Sequence, residues 1–146
     1  MAGYEDTLKL LRPLMFTRDT TAWDVLEKIK ELAQEDPKRI RMNSFGYLRA
    51  SGYDVPDYIK LPRCGAVGCI SGWAAIVTGR VYETVCFDGL GLTRGQKGEL
   101  YYPPWYLDGG QQTPEHAARV VRHIEKFQQK YEEQLKRTPV IVKDAK

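Results

Sequence analysis

The chain has 146 residues, 42% of them apolar, which fits one globular domain over residues 1–146. Its 22 basic and 19 acidic residues give a net charge of +3, too small to indicate a polyanionic partner through the overall field. No apolar run reaches the length of a membrane span, and the N-terminus lacks the pattern of a secretory signal. We therefore expect a cytoplasmic protein that does not bind a membrane.

Two helices are predicted in the first quarter of the chain. Residues 4–16 have apolar residues at helical spacing and predict a short helix. A clearer amphipathic helix follows, with Thr20 or Thr21 as its N-cap. It should end near Asp36, because Pro37 disfavours helical geometry in the residue before it.

Residues 38–62 mix aromatic, basic, glycine and proline residues without a sustained period, which predicts a long ordered connection. Cations interleaved with aromatic rings are able to hold phosphates while the rings stack on bases. A solvated loop surface explains the same composition without a ligand. The cations are Lys38, Arg39, Arg41, Arg49 and Lys60, together with Arg63 just beyond this segment, and the aromatic residues are Phe45, Tyr47, Tyr53 and Tyr58.

The next segment, RCGAVGCISGWAAIVTG, carries no charge after Arg63. Nearly all of its side chains are small or apolar, which predicts a helix from Ala66 to Thr78 that is buried on every side. Gly79 stands where a left-handed helix terminator is expected. The expected structural core residues of this central helix are Cys69, Gly72 and Trp73.

Short elements and an aromatic cluster follow the central helix. Residues 80–90 predict either a short strand or a chain reversal. Thr93 and Gln96 form a capping box for a short helix through about Leu100. Beyond it, aromatic side chains beside two prolines predict a lid over the core or a contact surface for another protein. The candidate partner-binding residues are Tyr102, Trp105 and Tyr106.

The last helix has the strongest local signals in the chain. Thr113 is its predicted N-cap, Pro114 takes the first helical position, and the apolar period continues to about Lys136. The tail from about residue 138 predicts either a small strand or a flexible end. Three cations lie on this helix, where they can share a face with the basic loop: Arg119, Arg122 and Lys126.

The three cysteines raise the possibility of metal or thiol chemistry. With His116 or His123 as a fourth ligand, they would complete a tetrahedral zinc site, but their spacing is loose and buried structural cysteines are favoured. Cys64 beside Arg63, at the start of the predicted central helix, would have a lowered pKa and would need one of the histidines as its base. The cysteines are Cys64, Cys69 and Cys86.

Four segments together resemble a group of small uncharacterised proteins of bacteria and their phages. They are DPKRIRM, CGAVGCISGWA, LGLTRGQKGELYY and TPEHAARVVRHIEKF, and the likeness spans residues 26–127. The most specific element is Cys-Gly-x-x-x-Cys-x-x-Gly-Trp, in which Ala66 and Ser71 replace the usual threonine and alanine. The resemblance implies an accessory protein of a phage or mobile element, and it implies no mechanism.

These observations predict a mainly helical domain with three longer helices, several short ones and at most a minor β-hairpin. The favoured function is non-enzymatic binding of a host or phage macromolecule, for example as an inhibitor, with no cofactor or metal. The first alternative is a nucleotide-like ligand held by the basic loop and the start of the central helix. The second is zinc or thiol chemistry at Cys64. The ligand-binding candidates are Arg41, Tyr47, Arg63, Cys64 and Gly65.

Overall fold

The computed structural model describes residues 12–42, 69–80, 83, 86–106 and 113–143. Within these ranges the chain forms five α-helices and a two-stranded antiparallel sheet, which confirms the predicted mainly helical class. The helices are α1 (Ala22–Glu35), α2 (Ile70–Val77), α3 (Arg94–Tyr101), α4 (Pro114–Lys130) and α5 (Glu132–Arg137). The strands are β1 (Thr20–Thr21) and β2 (Pro139–Val140), and 3₁₀ turns cover Arg12–Leu14 and Pro37–Arg39.

The long helix α1 begins and ends as its sequence predicts. The Thr21 hydroxyl accepts a hydrogen bond from the Asp24 amide at 3.2 Å, and the Asp24 carboxylate accepts one from the Thr21 amide. This capping box satisfies two amides that the first helical turn leaves without partners. The helix ends before Asp36, which is extended. The earlier helix predicted over residues 4–16 lies mostly outside the described residues, and its described part is the 3₁₀ turn Arg12–Leu14.

The central helix α2 is buried on every side, as predicted, but it is shorter than predicted. It begins at Ile70 rather than Ala66, because Cys69 has an extended backbone and serves as the N-cap. All eight residues of the helix are buried. Gly79 ends it at φ +78°, and the amides of Gly79 and Arg80 bond back to carbonyls in the last turn. This is a Schellman termination, in which glycine takes the left-handed position.

Trp73 of α2 is completely buried and connects the helix to the turn after α1. Its indole nitrogen donates a 2.7 Å hydrogen bond to the Arg39 carbonyl. Ile40 and Met42, just beyond that turn, are also buried. A large ring whose polar atom is bonded stabilises a core without leaving a desolvated donor.

The C-terminal helical segment was predicted as one helix, and the structure divides it at Tyr131. Tyr131 leaves helical geometry at φ −122° and ψ 31°, and α5 begins at the next residue. The Tyr131 hydroxyl donates a 2.8 Å hydrogen bond to Glu99 of α3. The apolar period continues across this division, because Leu135 of α5 is buried like the inward residues of α4.

The small sheet joins the two ends of the described chain. Thr20 of β1 pairs with Val140 of β2, so the tail forms the strand that was one of its two predicted alternatives. The Lys143 amide then bonds to the Thr78 carbonyl at the end of α2.

Of residues 80–90, for which a short strand or a chain reversal was predicted, the described part 86–90 forms turns and not a strand. The core is completed by α1, which packs mainly against α4.

Candidate functional site

The aromatic patch, defined as Tyr102, Trp105 and Tyr106, directly follows α3. Tyr102 caps the helix, and its amide donates to the Gly98 carbonyl at 3.0 Å. A turn then forms in which the Tyr106 amide bonds to the Pro103 carbonyl at 2.9 Å. The turn brings the rings of Tyr102 and Tyr106 into an edge-to-face contact, with 5.4 Å between their centroids. All three side chains of the patch remain partly exposed.

Trp105 is held against one face of α4 by three side chains. His116 and His123 make edge-to-face contacts with its indole, at centroid distances of 6.1 Å and 5.5 Å. Between them, the guanidinium of Arg119 lies 4.2 Å from the ring centroid. The spacing 116, 119 and 123 places the three side chains on the same face of a helix. This set fixes the indole while part of it stays in contact with solvent.

Both histidines favour the neutral form in this environment. Burial, followed by the nearby positive charge of Arg119, lowers the pKa of His116. Burial also lowers the pKa of His123, against the opposing effect of the Leu100 and Glu99 carbonyls. His123 Nε2 lies 3.0 Å from the Leu100 carbonyl oxygen, and because a carbonyl only accepts, this nitrogen carries the proton. Within the described residues, the buried Nε2 of His116 has no hydrogen-bond partner.

Beside the patch lies Tyr101, which is buried and hydrogen-bonded. Tyr101, the last residue of α3, is 1% exposed and its hydroxyl donates a 2.8 Å hydrogen bond to the Phe87 carbonyl. Its ring meets Tyr102 edge to face at 6.4 Å. Burial, and then the charge interaction with neighbouring Cys69, raises the pKa of Tyr101 well above its ordinary value. Burial likewise raises the pKa of Tyr102, with Cys86 as the next cause. Both tyrosines therefore stay protonated at neutral pH.

The predicted ligand-binding residues lie mostly outside the described part of the chain. Tyr47, Arg63, Cys64 and Gly65 fall in that range, while Arg41 is described and half-buried. The prediction that Cys64 and Gly65 lie at the start of the central helix is wrong. The helix α2 starts at Ile70, and its N-cap is Cys69.

The three expected core residues of the central helix are buried together at its start. Cys69 is 5% exposed, and its sulfur accepts a hydrogen bond from the Gly72 amide at 3.4 Å. Gly72 and Trp73 are buried in the first turn of α2. The sulfur thus acts as a helix cap, a role in which Ser, Thr, Asp and Asn are the usual residues.

The described residues assemble no metal centre. No group of three His, Cys, Asp or Glu side chains able to hold a metal ion occurs within the described ranges. His116 and His123, the histidines considered as zinc ligands or as a base for Cys64, contact Trp105 instead. Cys64 itself is not among the described residues.

The grouping of Trp105 with α4 was not predicted from the sequence. In the sequence, His116 and His123 lie seven residues apart on the predicted last helix, and Arg119 is one of three cations on that helix. The spacing of His116, Arg119 and His123 indicates a shared face, but nothing local shows that the turn after α3 covers it. Long-range contacts of this kind follow from how α3 and α4 pack.

The geometry defines a partly exposed aromatic surface with one cation, Arg119, over the Trp105 ring. Comparison of the chain with protein-family models, with curated proteins and with solved structures gives no match. No helix in the described ranges is long and apolar enough to cross a membrane.

Proposed function

We propose that the chain is a non-enzymatic binding protein that holds a protein partner through the aromatic patch and Arg119. The observation that carries the proposal is the position of Trp105, which lies 4.2 Å below the Arg119 guanidinium and beside two partly exposed tyrosines. Trp, Tyr and Arg are the residue types most enriched among those that dominate the energy of protein interfaces.

The patch is ordered before any partner arrives, which supports this role. Tyr102 caps α3, Tyr106 is fixed by the turn, and Trp105 is held by His116 and His123. A side chain that is already fixed loses less conformational entropy on binding, so more of its contact energy appears as affinity. Aromatic rings also offer a large contact area for few rotatable bonds.

The resemblance to proteins of bacteria and their phages supplies the setting of the proposal. In that setting the partner is a host or phage protein, and the chain acts as an inhibitor by covering part of its surface. Fold alone does not imply such a role, so the assignment rests on the surface that Trp105 and its neighbours form.

The experiment is affinity capture from a bacterial host lysate, with and without nuclease, read by mass spectrometry. Trp105→Ala tests the patch, and Tyr106→Ser tests it with less effect on packing. Trp23→Ala is the matched control, because Trp23 is also a partly exposed tryptophan with a cation, Lys136, 4.5 Å from its ring centroid. Thermal unfolding of each variant confirms that it is folded.

The proposal expects one or more host or phage proteins that are enriched by the wild type and by Trp23→Ala and lost from both patch variants. Their enrichment should survive nuclease treatment. Capture that depends on intact nucleic acid, or that Trp105→Ala and Tyr106→Ser leave unchanged, would contradict the proposal.

A further inference from the structure

A cationic ridge, defined as Arg119, Arg122 and Lys126, follows the exposed side of α4. The three residues are spaced i, i+3 and i+7, so they share one face of the helix, and all three are exposed. Across the described ranges, none of them forms an ion pair. The ridge is therefore a concentration of positive charge without an ion-pair partner among the described residues.

The two carboxylates of α4, Glu115 and Glu125, form no ion pair with the ridge within the described residues. Glu115 is in the first helical turn, where the positive end of the helix dipole stabilises a negative charge. Glu125 is three residues beyond Arg122, but its carboxylate faces Lys30 of α1 at 3.8 Å. Glu115 also lies one turn before Arg119 on the same face, so it offsets part of the charge at that end of the ridge. Arg122 and Lys126, further along the helix, keep their full charge.

The ridge also conflicts with the stability of its own helix. Arg122 and Lys126 are like charges one turn apart, and so are Lys126 and Lys130. Such i, i+4 pairs destabilise a helix, whereas a carboxylate at residue 126 would make two favourable pairs. Lys130 already has a partner, Glu99, at 3.1 Å. Arg122 and Lys126 break this local rule without a structural gain among the described contacts, which makes them candidates for function.

Apolar surface borders the ridge on both sides. On one side, Arg119 covers the ring of Trp105. On the other, Arg122 lies at the edge of an open groove of about 340 Å³ between α1 and α4. The groove walls include Ala117, Ala118 and Val121. A ligand that crosses the ridge would therefore meet positive charge in its middle and apolar contacts at its flanks.

We propose that the cationic ridge binds an acidic segment of the protein partner, a segment that carries carboxylates together with apolar side chains. This inference rests on the proposed function and specifies the chemistry of the partner. A peptide uses all three features, because its carboxylates meet the arginines and its apolar side chains meet the groove and the patch. Nucleic acid fits less well, since Arg119 covers one face of the Trp105 ring that bases would need for stacking.

The test measures fluorescence anisotropy with four dye-labelled probes. Three are peptides of equal length with leucines at the same positions and Glu, Gln or Lys at all others, and the fourth is a single-stranded oligodeoxythymidine. The proteins are the wild type, Arg122→Glu, Lys126→Glu and the control Arg137→Glu. Arg137 is an exposed residue of α5, so its reversal changes the net charge equally but leaves the ridge intact.

The glutamate peptide should bind most tightly, and Arg122→Glu or Lys126→Glu should weaken it about tenfold, while Arg137→Glu changes it by less than about twofold. Lys126→Glu should also raise the urea midpoint of unfolding, which separates lost binding from lost folding. Three outcomes would overturn the inference. They are binding of any other probe as tight as that of the glutamate peptide or tighter, no binding of the glutamate peptide, and no effect of the ridge variants on its affinity.

The capture experiment with Trp105→Ala tests the proposed function independently of charge. A partner that depends on Trp105 but is retained by both ridge variants would overturn the acidic preference and leave the proposed function standing. Loss of the Trp105 dependence would instead overturn the proposed function.

Discussion

Arg119 and Trp105 form a cation–ring pair in which the guanidinium carbon lies 4.2 Å from the ring centroid of the indole. The pair joins α4 to the turn after α3, two segments that share no backbone hydrogen bond among the described interactions. A cation over an aromatic face is attracted by the negative potential of the ring. The contact therefore helps to fix the turn that carries the aromatic patch.

Replacing Arg119 by alanine should lower the free energy of unfolding by about 0.5–1 kcal/mol, because the cation–ring contact at the surface is lost. It should also shift the tryptophan emission, since Trp105 becomes more exposed. Urea titration followed by fluorescence measures both effects. The stability of Arg119→Lys should lie between that of the wild type and that of Arg119→Ala, because an ammonium group does not stack on the ring as a planar guanidinium does. A variant with unchanged stability and emission would show that the pair is not formed in solution.

Acidification should destabilise the fold through His116 and His123. Both have a pKa below the ordinary value of 6.5, mainly because of burial. The unfolded chain therefore takes up protons that the folded chain excludes, so stability present above pH 6.5 is lost as the pH falls towards the folded pKa values. Urea midpoints measured between about pH 7.5 and pH 5 should decrease steadily.

The double variant His116→Gln, His123→Gln isolates this effect, since it removes both titrating groups. Its urea midpoint should vary less over the same pH range than that of the wild type. Asp24 and Glu99 have lowered pKa values too, but they act in a more acidic range. If the urea midpoints of the wild type and the double variant depend equally on pH, the loss of stability on acidification comes from other groups.

Glycine substitutions should have opposite effects at two positions. At Gly95 of α3 an added Cβ meets no atom within 4 Å, so Gly95→Ala should stabilise the protein by about 0.5–1 kcal/mol through helix propensity. At Gly79 the backbone has φ +78°, and a Cβ would lie 2.7 Å from the Lys143 carbonyl oxygen. Gly79→Ala should therefore cost at least about 1 kcal/mol. Unfolding in urea measures the stability of both variants. A Gly79→Ala variant as stable as the wild type would contradict the described termination of α2.

Gln96 should couple α3 to α5. Its carbonyl oxygen accepts from the Thr93 amide at 2.8 Å and from Gln134 at 2.9 Å, and its amide group donates back to Gln134. A double-mutant cycle with Gln96→Ala and Gln134→Ala should give a coupling energy of about 1 kcal/mol, because the two hydrogen bonds between them need both partners. Additive effects of the two single changes would indicate that the side chains do not pair.

The sequence predicted helices best where a capping residue is chemically distinctive. Thr21, Thr93 and Thr113 each cap the helix that was expected after them. The start of α2 was missed, because its cap is the sulfur of Cys69 and the small residues before it look equally helical. The end of α4 at Tyr131 carries no proline or glycine, and the hydrogen bond of that tyrosine to Glu99 is a tertiary contact.

The candidate site was only partly predictable, because it too depends on tertiary contacts. The cluster of aromatic residues around Trp105 is visible in composition, and so is the shared helix of His116 and His123. Their contact depends on how α3 is placed against α4, which the local pattern does not contain. Arg119 likewise looked like one more surface cation, although it lies over the indole.

The central claim is that a protein partner sits on the aromatic patch, and site-specific photo-crosslinking in host cells tests it most directly. A photoreactive phenylalanine analogue replaces Tyr106 in one protein and Trp23 in the matched control, since both positions are partly exposed. The account predicts a discrete protein adduct from position 106 that is absent from position 23 and disappears when Trp105→Ala is added. Equal adducts from both positions, or none from position 106, would contradict it.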